Sequence, residues 1–412
     1  MSQPGPHDAV DRFVDAHFDE QVRFLQELVR VPTDTPPGNN TPHALRTREL
    51  LAAFGFDAQA HEVPPDLVRQ HGLQSVTNLV VRRRYGAGGR IVALNAHGDV
   101  VPPGEGWTRD PYGAEIVDGR LYGRAAAVSK SDFSTYAFAT RALEAAGVPL
   151  AGGVDLLFTY DEEFGGELGP KWLLDRGLTK PDLEIAAGFS YQVVTAHNGC
   201  LQMEVAVHGR MGHAAVPDTA IDALQAATRV LVALYEENVR LRRHTSAVKG
   251  IRHGYVNVGR IEGGTNTNVV PGKVVLKIDR RMIPEEDPAQ VEAALHRLIE
   301  DAVAQVPGAR VEIRRLLLAH AMKPLAGNAP LVESLCRHAS ALFGEPVEAS
   351  GTPLYTDARL FSERGIPAVI YGAGPRTVLE SNAKRADEHI VLDDLRRATK
   401  VVARTLLDLL RV

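Results

Sequence analysis

Cysteine is nearly absent from this chain. Only Cys200 and Cys336 carry thiols among 412 residues, and neither has a partner nearby in the sequence. That excludes a disulfide framework and a thiolate metal cage. A basic excess is also missing: 46 Lys and Arg stand against 51 Asp and Glu, a formal net charge of -5. With no positive field to neutralise phosphates, nucleic acid is excluded as a main partner. No stretch reaches the roughly eighteen consecutive apolar residues that a membrane span needs. The opening MSQPGPHDAVDRF has neither a basic start nor an apolar core, so no secretory leader is expected. These absences lead to the expectation of a cytoplasmic protein without membrane contact. What is present is ordinary: 44% hydrophobic and 24% charged residues, the profile of a soluble globular enzyme. The chain is longer than one hydrophobic core usually supports, so about two domains are expected.

Val10, Phe13, Val14, Phe18, Val22, Leu25, Leu28 and Val29 recur at three- and four-residue steps, which predicts one amphipathic opening helix. Pro32 and the Pro36-Pro37-Gly38 turn end it. A second helix is expected over about 44–55, followed by short β-type runs that include 78–82 and 91–96. The apolar run Val154–Tyr160 lies between Gly153 and an acidic turn, and reads as a buried strand that delivers residues at its C-terminal end. This alternation predicts an α/β layer with a mostly parallel sheet, whose chemistry sits on the loops after the strands. The middle of the chain differs. Strands at 201–207, 255–261, 273–279 and 310–317, with helices at 220–237 and from Pro288 to about Val306, give the order βαββαβ. That is the ferredoxin-like pattern. The expected fold class is α/β: a discontinuous catalytic domain, 1–198 and 318–412, with an inserted ferredoxin-like α+β lid or dimerisation domain at 199–317.

Two short clusters carry chemistry. His97-Gly98-Asp99 ends the apolar run 91–96. A His and an Asp two apart at a strand end can face one way, the His binding a metal while the Asp orients its ring. Asp161-Glu162-Glu163 follows the strand at 154–160. Adjacent carboxylates there suit one ligand and one general base, because their repulsion raises one pKa. Taken singly, the first reads more readily as a structural His beside an Asp and the second as a solvated acidic turn.

The wider set of motifs argues further. His97-Gly98-Asp99-Val100-Val101-Pro102 continues through Gly104, Trp107, Pro111 and Asp118-Gly119-Arg120-Leu121-Tyr122-Gly123-Arg124. Asp161-Glu162-Glu163 is followed by Gly165-Gly166, and Gly209 by His213 and Pro217. Then come Gly263-Gly264, Asn268-Val269-Val270-Pro271, Asp279-Arg280-Arg281, Thr356-Asp357-Ala358-Arg359 and Gly372-Ala373-Gly374-Pro375. In this order the motifs resemble the M20 peptidase family of acetylornithine deacetylases, succinyl-diaminopimelate desuccinylases, aminoacylases and carboxypeptidase G relatives, over about 10–410. The resemblance implies a hydrolase that attacks an amide carbonyl with water activated between two zinc-like ions. It implies His97 as the first metal ligand, Asp99 as its orienting partner, Glu162 as general base and Glu163 as a second ligand.

The same resemblance marks three ligand positions whose residues have changed. The bridging Asp of the family falls on Val128 in Gly123-Arg124-Ala125-Ala126-Ala127-Val128-Ser129-Lys130. The next acidic ligand falls on Gly188, and the last His falls on Lys384 of Lys384-Arg385-Ala386-Asp387-Glu388. Of five ligands, His97 and Glu163 remain as a half-site. The expectation is no cofactor, or at most one weakly bound Zn, Mn or Co ion. Asp132, one turn beyond Val128, and Glu184, near Gly188, are the alternatives that could restore ligands, given large backbone shifts. Without two divalent ions, Asp99, Glu162 and Glu163 would be like charges left unopposed. Lys384 is therefore expected to fill part of the vacated space and pair with Glu163 or Glu162.

Other groups complete the expected site. By resemblance, Asn268 and Arg281 hold a substrate carboxylate or carbonyl, His213 polarises the scissile carbonyl, and the Gly372-Ala373-Gly374 loop offers backbone N–H groups. Tyr191 and His197 are candidates for substrate binding, and with Cys200 for acid-base or nucleophilic work in place of a metal; Cys200 reads more readily as a small core residue opening a strand. The leading expectation is a deacylase-type amidohydrolase acting on a small carboxylate-bearing substrate such as an N-acyl amino acid or dipeptide. Glu162 would serve as base, and Lys384, His213 or one weak metal as electrophile. A metal-independent isomerase, lyase or decarboxylase on an amino-acid-like ligand is the alternative, and a non-catalytic binding protein the third. The resemblance also implies a homodimer through 199–317.

Overall fold

The computed structural model describes residues 5–412, and the chain divides into two compact units. One runs up to Thr195 and adds Pro324–Ser350 and Thr356–Val412; the other is Ala196–Lys323 with Gly351–Tyr355. Among the described residues no helix is long and apolar enough to cross a membrane.

The first unit is built on a large sheet. Its centre is four parallel strands in the order Ala151–Thr159, Gly86–His97, Leu183–Ala186 and Ala368–Ile370. Antiparallel Thr77–Arg84 and Ala58–Glu62 extend one side, and antiparallel Val193–His197 extends the other. Ala151–Thr159, Leu183–Ala186, Ala368–Ile370 and the second half of Gly86–His97 are buried, which is why apolar residues stand next to one another there rather than alternating, with Asp155 and Glu184 as buried exceptions. The helix Lys130–Ala145 is also buried almost all round, with Phe133 stacked on Phe158 of the neighbouring strand at 4.2 Å.

One expectation about this unit needs correction. The single opening helix is two, Pro6–Ala16 and Phe18–Val29. His17 breaks it: its ring stacks on Phe13 at 4.0 Å and its Nδ1 bonds the Phe13 carbonyl at 2.9 Å. Hydrophobic spacing alone passes over such a break, because Val10, Val14, Phe18, Val22 and Leu25 remain buried on both sides of it.

The second unit is a four-stranded antiparallel sheet in the order Tyr255–Gly263, Lys273–Met282, Gly199–His208, Arg310–Ala319. Helices Ala223–Leu241 and Pro288–Ala304 complete the βαββαβ series. Each helix starts on an aspartate whose carboxylate accepts backbone N–H groups: Asp222 from Leu224 at 2.8 Å, Asp287 from Gln290 at 2.9 Å. Leu201, Met203, Val205 and Val207 alternate along the inner strand and meet Leu276, Ile278, Val230 and Leu234 in one core.

Candidate active site

In the first unit, parallel strands end where the acidic groups collect, as expected for a sheet of this kind. His97 is the last residue of Gly86–His97, and Glu162 opens a short 3-10 turn just after Ala151–Thr159. Those strands pair in parallel with His97 opposite Thr159, so the two strand ends lie side by side. The His97 Nδ1 bonds the Asp99 backbone carbonyl at 3.0 Å and lies 3.4 Å from the Asp99 carboxylate. This leaves Nε2 facing the Glu162 carboxylate at 3.8 Å. The other oxygen of Asp99 accepts the Glu163 N–H at 3.0 Å, which ties the two strand-end motifs together.

Lys384 comes from a late loop and donates from Nζ to Glu163 Oε2 at 2.7 Å. Its backbone sits in the left-handed region at φ 62, and its N–H reaches Glu388 Oε2 at 3.3 Å. Glu388 in turn forms a buried ion pair with Arg124 at 2.6 Å and accepts the Ala127 N–H at 3.2 Å. One carboxylate thereby holds the Lys384 loop to the segment that leads into Val128. Val128 and Gly188 contribute no donor atom. A Cβ at Gly188 would stand 2.1 Å from Ile370 Cγ2, so the fold packs a core side chain against that position.

The charges explain the protonation pattern. Burial opposes a charge on His97, but Glu162, Asp99 and Glu163 around it raise its imidazole to about 10. Burial pushes the Glu162 carboxyl up to about 7 against the pull of His97. Burial also works against the Lys384 ammonium, yet Glu163 and Glu162 hold it above its ordinary range. Two further carboxyls, Asp161 and Asp357, are pushed well above the carboxylate range by burial and then by neighbouring acids.

Asp357 and Arg359 are absent from the residues singled out above, although their motif is noted there. Arg359 donates to the Gly165 carbonyl at 2.6 Å, and a Cβ at Gly166 would meet Asp357 Oδ1 at 2.2 Å. Together they brace the acidic turn. The signal for them is the Thr356–Arg359 motif itself, and the contact partner lies almost two hundred positions earlier, where no local pattern reaches.

Several expectations are corrected. The Gly372-Ala373-Gly374 loop does not offer free backbone N–H groups: Gly372 bonds Phe189 O at 3.4 Å, Gly374 bonds Gly188 O at 2.7 Å, and Ala373 bonds Asp132 Oδ1 at 2.7 Å. The last contact also commits Asp132, whose carboxyl burial pushes up to about 7, so it is not a ready replacement ligand. Glu184 is fully buried on its strand, with burial holding its carboxyl well above the usual range. The Tyr191 hydroxyl is already engaged. Its hydroxyl donates to Asp394 at 2.8 Å, Arg376 lies 3.9 Å over its ring, and burial followed by Asp394 raises it to about 12.

The second unit carries the remaining residues. His213 is exposed on the short strand Gly212–His213, and its Nδ1 accepts the Ala215 N–H at 3.0 Å. Asn268 is exposed and its carbonyl accepts the Ala214 N–H. Arg281 is held by Asp279 at 2.6 Å and lies over the Tyr355 ring at 5.6 Å, so it does not project as an unengaged cation. His197 is buried, with Nδ1 on the Asn198 carbonyl at 2.8 Å. Cys200 is buried beside Asp279, and burial with that carboxylate pushes its thiol up to about 12, in keeping with its reading as a small core residue rather than the nucleophile alternative.

A sheet that carries a His-Asp pair and a Glu-Glu pair at adjacent parallel strand ends, with a separate ferredoxin-like unit, defines the M20 class of fold. Residues 93–408 match the model of peptidase family M20/M25/M40, and the chain belongs to that family. It is 30% identical over 383 residues to an acetylornithine deacetylase of Myxococcus xanthus, covering 92% of this chain and 95% of that one. It is 34% identical over 308 residues to a succinyl-diaminopimelate desuccinylase of Gluconobacter oxydans, covering 71% and 75%. Among solved structures, an M20 family metallo-carboxypeptidase from Sulfolobus solfataricus shares the fold with a TM-score of 0.78 at 20% identity, covering 95% of this chain and 99% of that one.

Proposed function

We propose that this protein hydrolyses an amide C–N bond in a small carboxylate-bearing substrate, such as an N-acyl amino acid or dipeptide, without an intact dinuclear metal centre. The observation that carries the second half of this reading is the Lys384 Nζ at 2.7 Å from Glu163 Oε2. The residues present do not fit two metal ions. Val128 and Gly188 have no donor, Lys384 is a cation, and the carboxylate of Glu163 already holds that cation. His97 and Glu163 alone could hold one ion weakly at best. Family membership and the deacetylase and desuccinylase relatives support the first half.

In this reading Glu162 removes a proton from water as the water attacks the amide carbon, and later returns it to the leaving nitrogen. The His97 imidazolium and the Lys384 ammonium are the positive groups beside that base, able to offset charge developing on the carbonyl oxygen. The same pairing of an elevated carboxyl with an imidazolium suits a metal-independent isomerase, lyase or decarboxylase on an amino-acid-like ligand, which is the second reading. A homodimer formed through the second unit is part of the proposal. Leu224, Val232, Tyr235 and Val239 expose apolar surface at three-, four- and eight-residue steps along one helix of that unit.

The test measures amine release from a panel of N-acyl amino acids and dipeptides, with and without chelator. Turnover is expected to survive chelation and to vanish in Glu162→Gln while ligand binding persists. Turnover that needs added zinc, manganese or cobalt, and that His97→Ala abolishes together with metal binding, would sink the metal-independent reading. Ligand binding without any turnover would reduce the protein to a binding module.

A further inference from the structure

We propose that His7, His338 and Asp408 form a binding site for a single zinc-like divalent ion, remote in sequence from the strand-end cluster and independent of it. Three helices meet there. His7 lies in the first turn of Pro6–Ala16, His338 in the middle of Ala329–Phe343, and Asp408 in the last turn of Leu392–Leu410. The two imidazoles approach opposite oxygens of one carboxylate: His7 Nε2 is 2.8 Å from Oδ1 and His338 Nε2 is 2.7 Å from Oδ2. Their rings stand edge to face with centroids 4.9 Å apart, so both Nε2 atoms converge on one small volume.

Among the described residues, this is the one group of three or more His, Cys, Asp or Glu side chains whose ligand atoms all lie within 4.8 Å of one another. The strand-end cluster of the family site does not meet that criterion. Two imidazole nitrogens and a carboxylate oxygen are a donor set that zinc accepts, with a fourth position left for water. An ion at metal–nitrogen distances near 2.0–2.1 Å would take about 3.3 Å between ligand atoms, a little more than the present 2.7 and 2.8 Å from each imidazole to the carboxylate. Ser334 Oγ donates to Asp408 Oδ2 at 2.8 Å and would orient the ligating carboxylate from outside. His7 is a third exposed and gives an ion a way in, whereas His338 and Asp408 are largely buried.

One group opposes the ion. The Arg337 guanidinium also pairs with Asp408 Oδ2, from a mostly exposed side chain that can swing away into water. An ion bound here would cross-link the beginning of the described chain to its final helix, stabilising the closure of the first unit rather than taking part in its chemistry.

The experiment strips the purified full-length protein with chelator and titrates it with zinc(II) and, separately, cobalt(II). One equivalent per chain is expected, with a cobalt ligand-field spectrum of a four-coordinate ion. His97→Ala is expected to retain that equivalent, which separates this site from any residual ion at the strand ends. His7→Ala is expected to weaken it beyond the roughly 10–100-fold that loss of an outer partner costs. Arg337→Ala is expected to tighten it, a gain that misfolding cannot produce. No binding in the wild type, or an affinity unchanged by His7→Ala or by Arg337→Ala, overturns the proposal.

Discussion

Arg124→Met is the sharpest test of how this fold holds its site. The Arg124 guanidinium and the Glu388 carboxylate are 2.6 Å apart, and both side chains are at most 2% exposed. The same guanidinium donates to the Pro103 carbonyl at 2.8 Å and lies 5.2 Å over the Trp107 ring. Methionine keeps much of the aliphatic stem but removes the charge, which leaves a buried carboxylate without its cation. Removing one partner of such a pair costs about 3–5 kcal/mol, most of it the penalty on the charge left behind. Burial already pushes the Glu388 carboxyl up, and Arg124 is what pulls it back. Without Arg124 its folded-state pKa therefore rises further above the unfolded value. A carboxyl whose folded pKa is raised loses stability as pH climbs from the unfolded pKa to the folded one. The deficit of Arg124→Met is thus expected to grow with pH above about 4 and to level off once pH passes the new folded pKa. Denaturant unfolding followed by circular dichroism at several pH values measures it. The double variant Arg124→Met with Glu388→Gln should cost less than the sum of the singles by roughly 1–3 kcal/mol, because the unpaired charge is gone. Loss below about 1 kcal/mol in the single variant, or strict additivity in the double, would refute the reasoning. Because Glu388 also holds the Ala127 and Lys384 N–H groups, turnover is expected to fall along with stability.

Two further predictions concern the site residues directly. Cys200 is expected to resist an aromatic disulfide reagent at pH 8 in the folded protein: a thiol pushed up to about 12 carries on the order of one thiolate in ten thousand at that pH, against about a quarter for a free thiol. Both cysteines should titrate in denaturant, and native labelling of Cys200 at a free-thiol rate would contradict its placement. The double substitution Val128→Asp with Lys384→His places a carboxylate and an imidazole at two of the positions proposed to have lost a ligand, while leaving Gly188 packed on Ile370. It is expected to gain at least one tightly bound zinc per chain relative to the wild type under calorimetric titration. No gain would show that the Lys384–Glu163 pair is not what excludes the ion.

Much of this protein is legible in its sequence because the signals are local. Largely apolar runs such as Val154–Tyr160, interrupted by the buried Asp155, mark buried parallel strands, and the polar residues that follow them, His97 to Asp99 and Asp161 to Glu163, mark strand ends. The βαββαβ order of the second unit follows from alternating apolar positions such as Leu201, Met203, Val205 and Val207 and from aspartates that start its helices. Val128, Gly188 and Lys384 are proposed to stand at changed ligand positions on family motifs and residue identity alone.

Tertiary structure decided what those residues can do, because a side chain's chemistry depends on neighbours that sequence distance hides. The Gly372–Gly374 loop reads as a source of donors until Phe189, Gly188 and Asp132 are found to consume all three N–H groups. Tyr191 reads as a candidate acid or base until burial and the carboxylate of Asp394 beside it raise its pKa. Arg124 and Glu388, or Arg359 and Gly165, are contacts between remote segments that no periodicity announces. The sequence by itself determined the fold and the inventory of charged groups at its strand ends. Only the folded chain decided which of those charges meet: His97 lies between Asp99 and Glu162, where burial makes an unpaired charge costly, and the more exposed Lys384 reaches the largely buried Glu163.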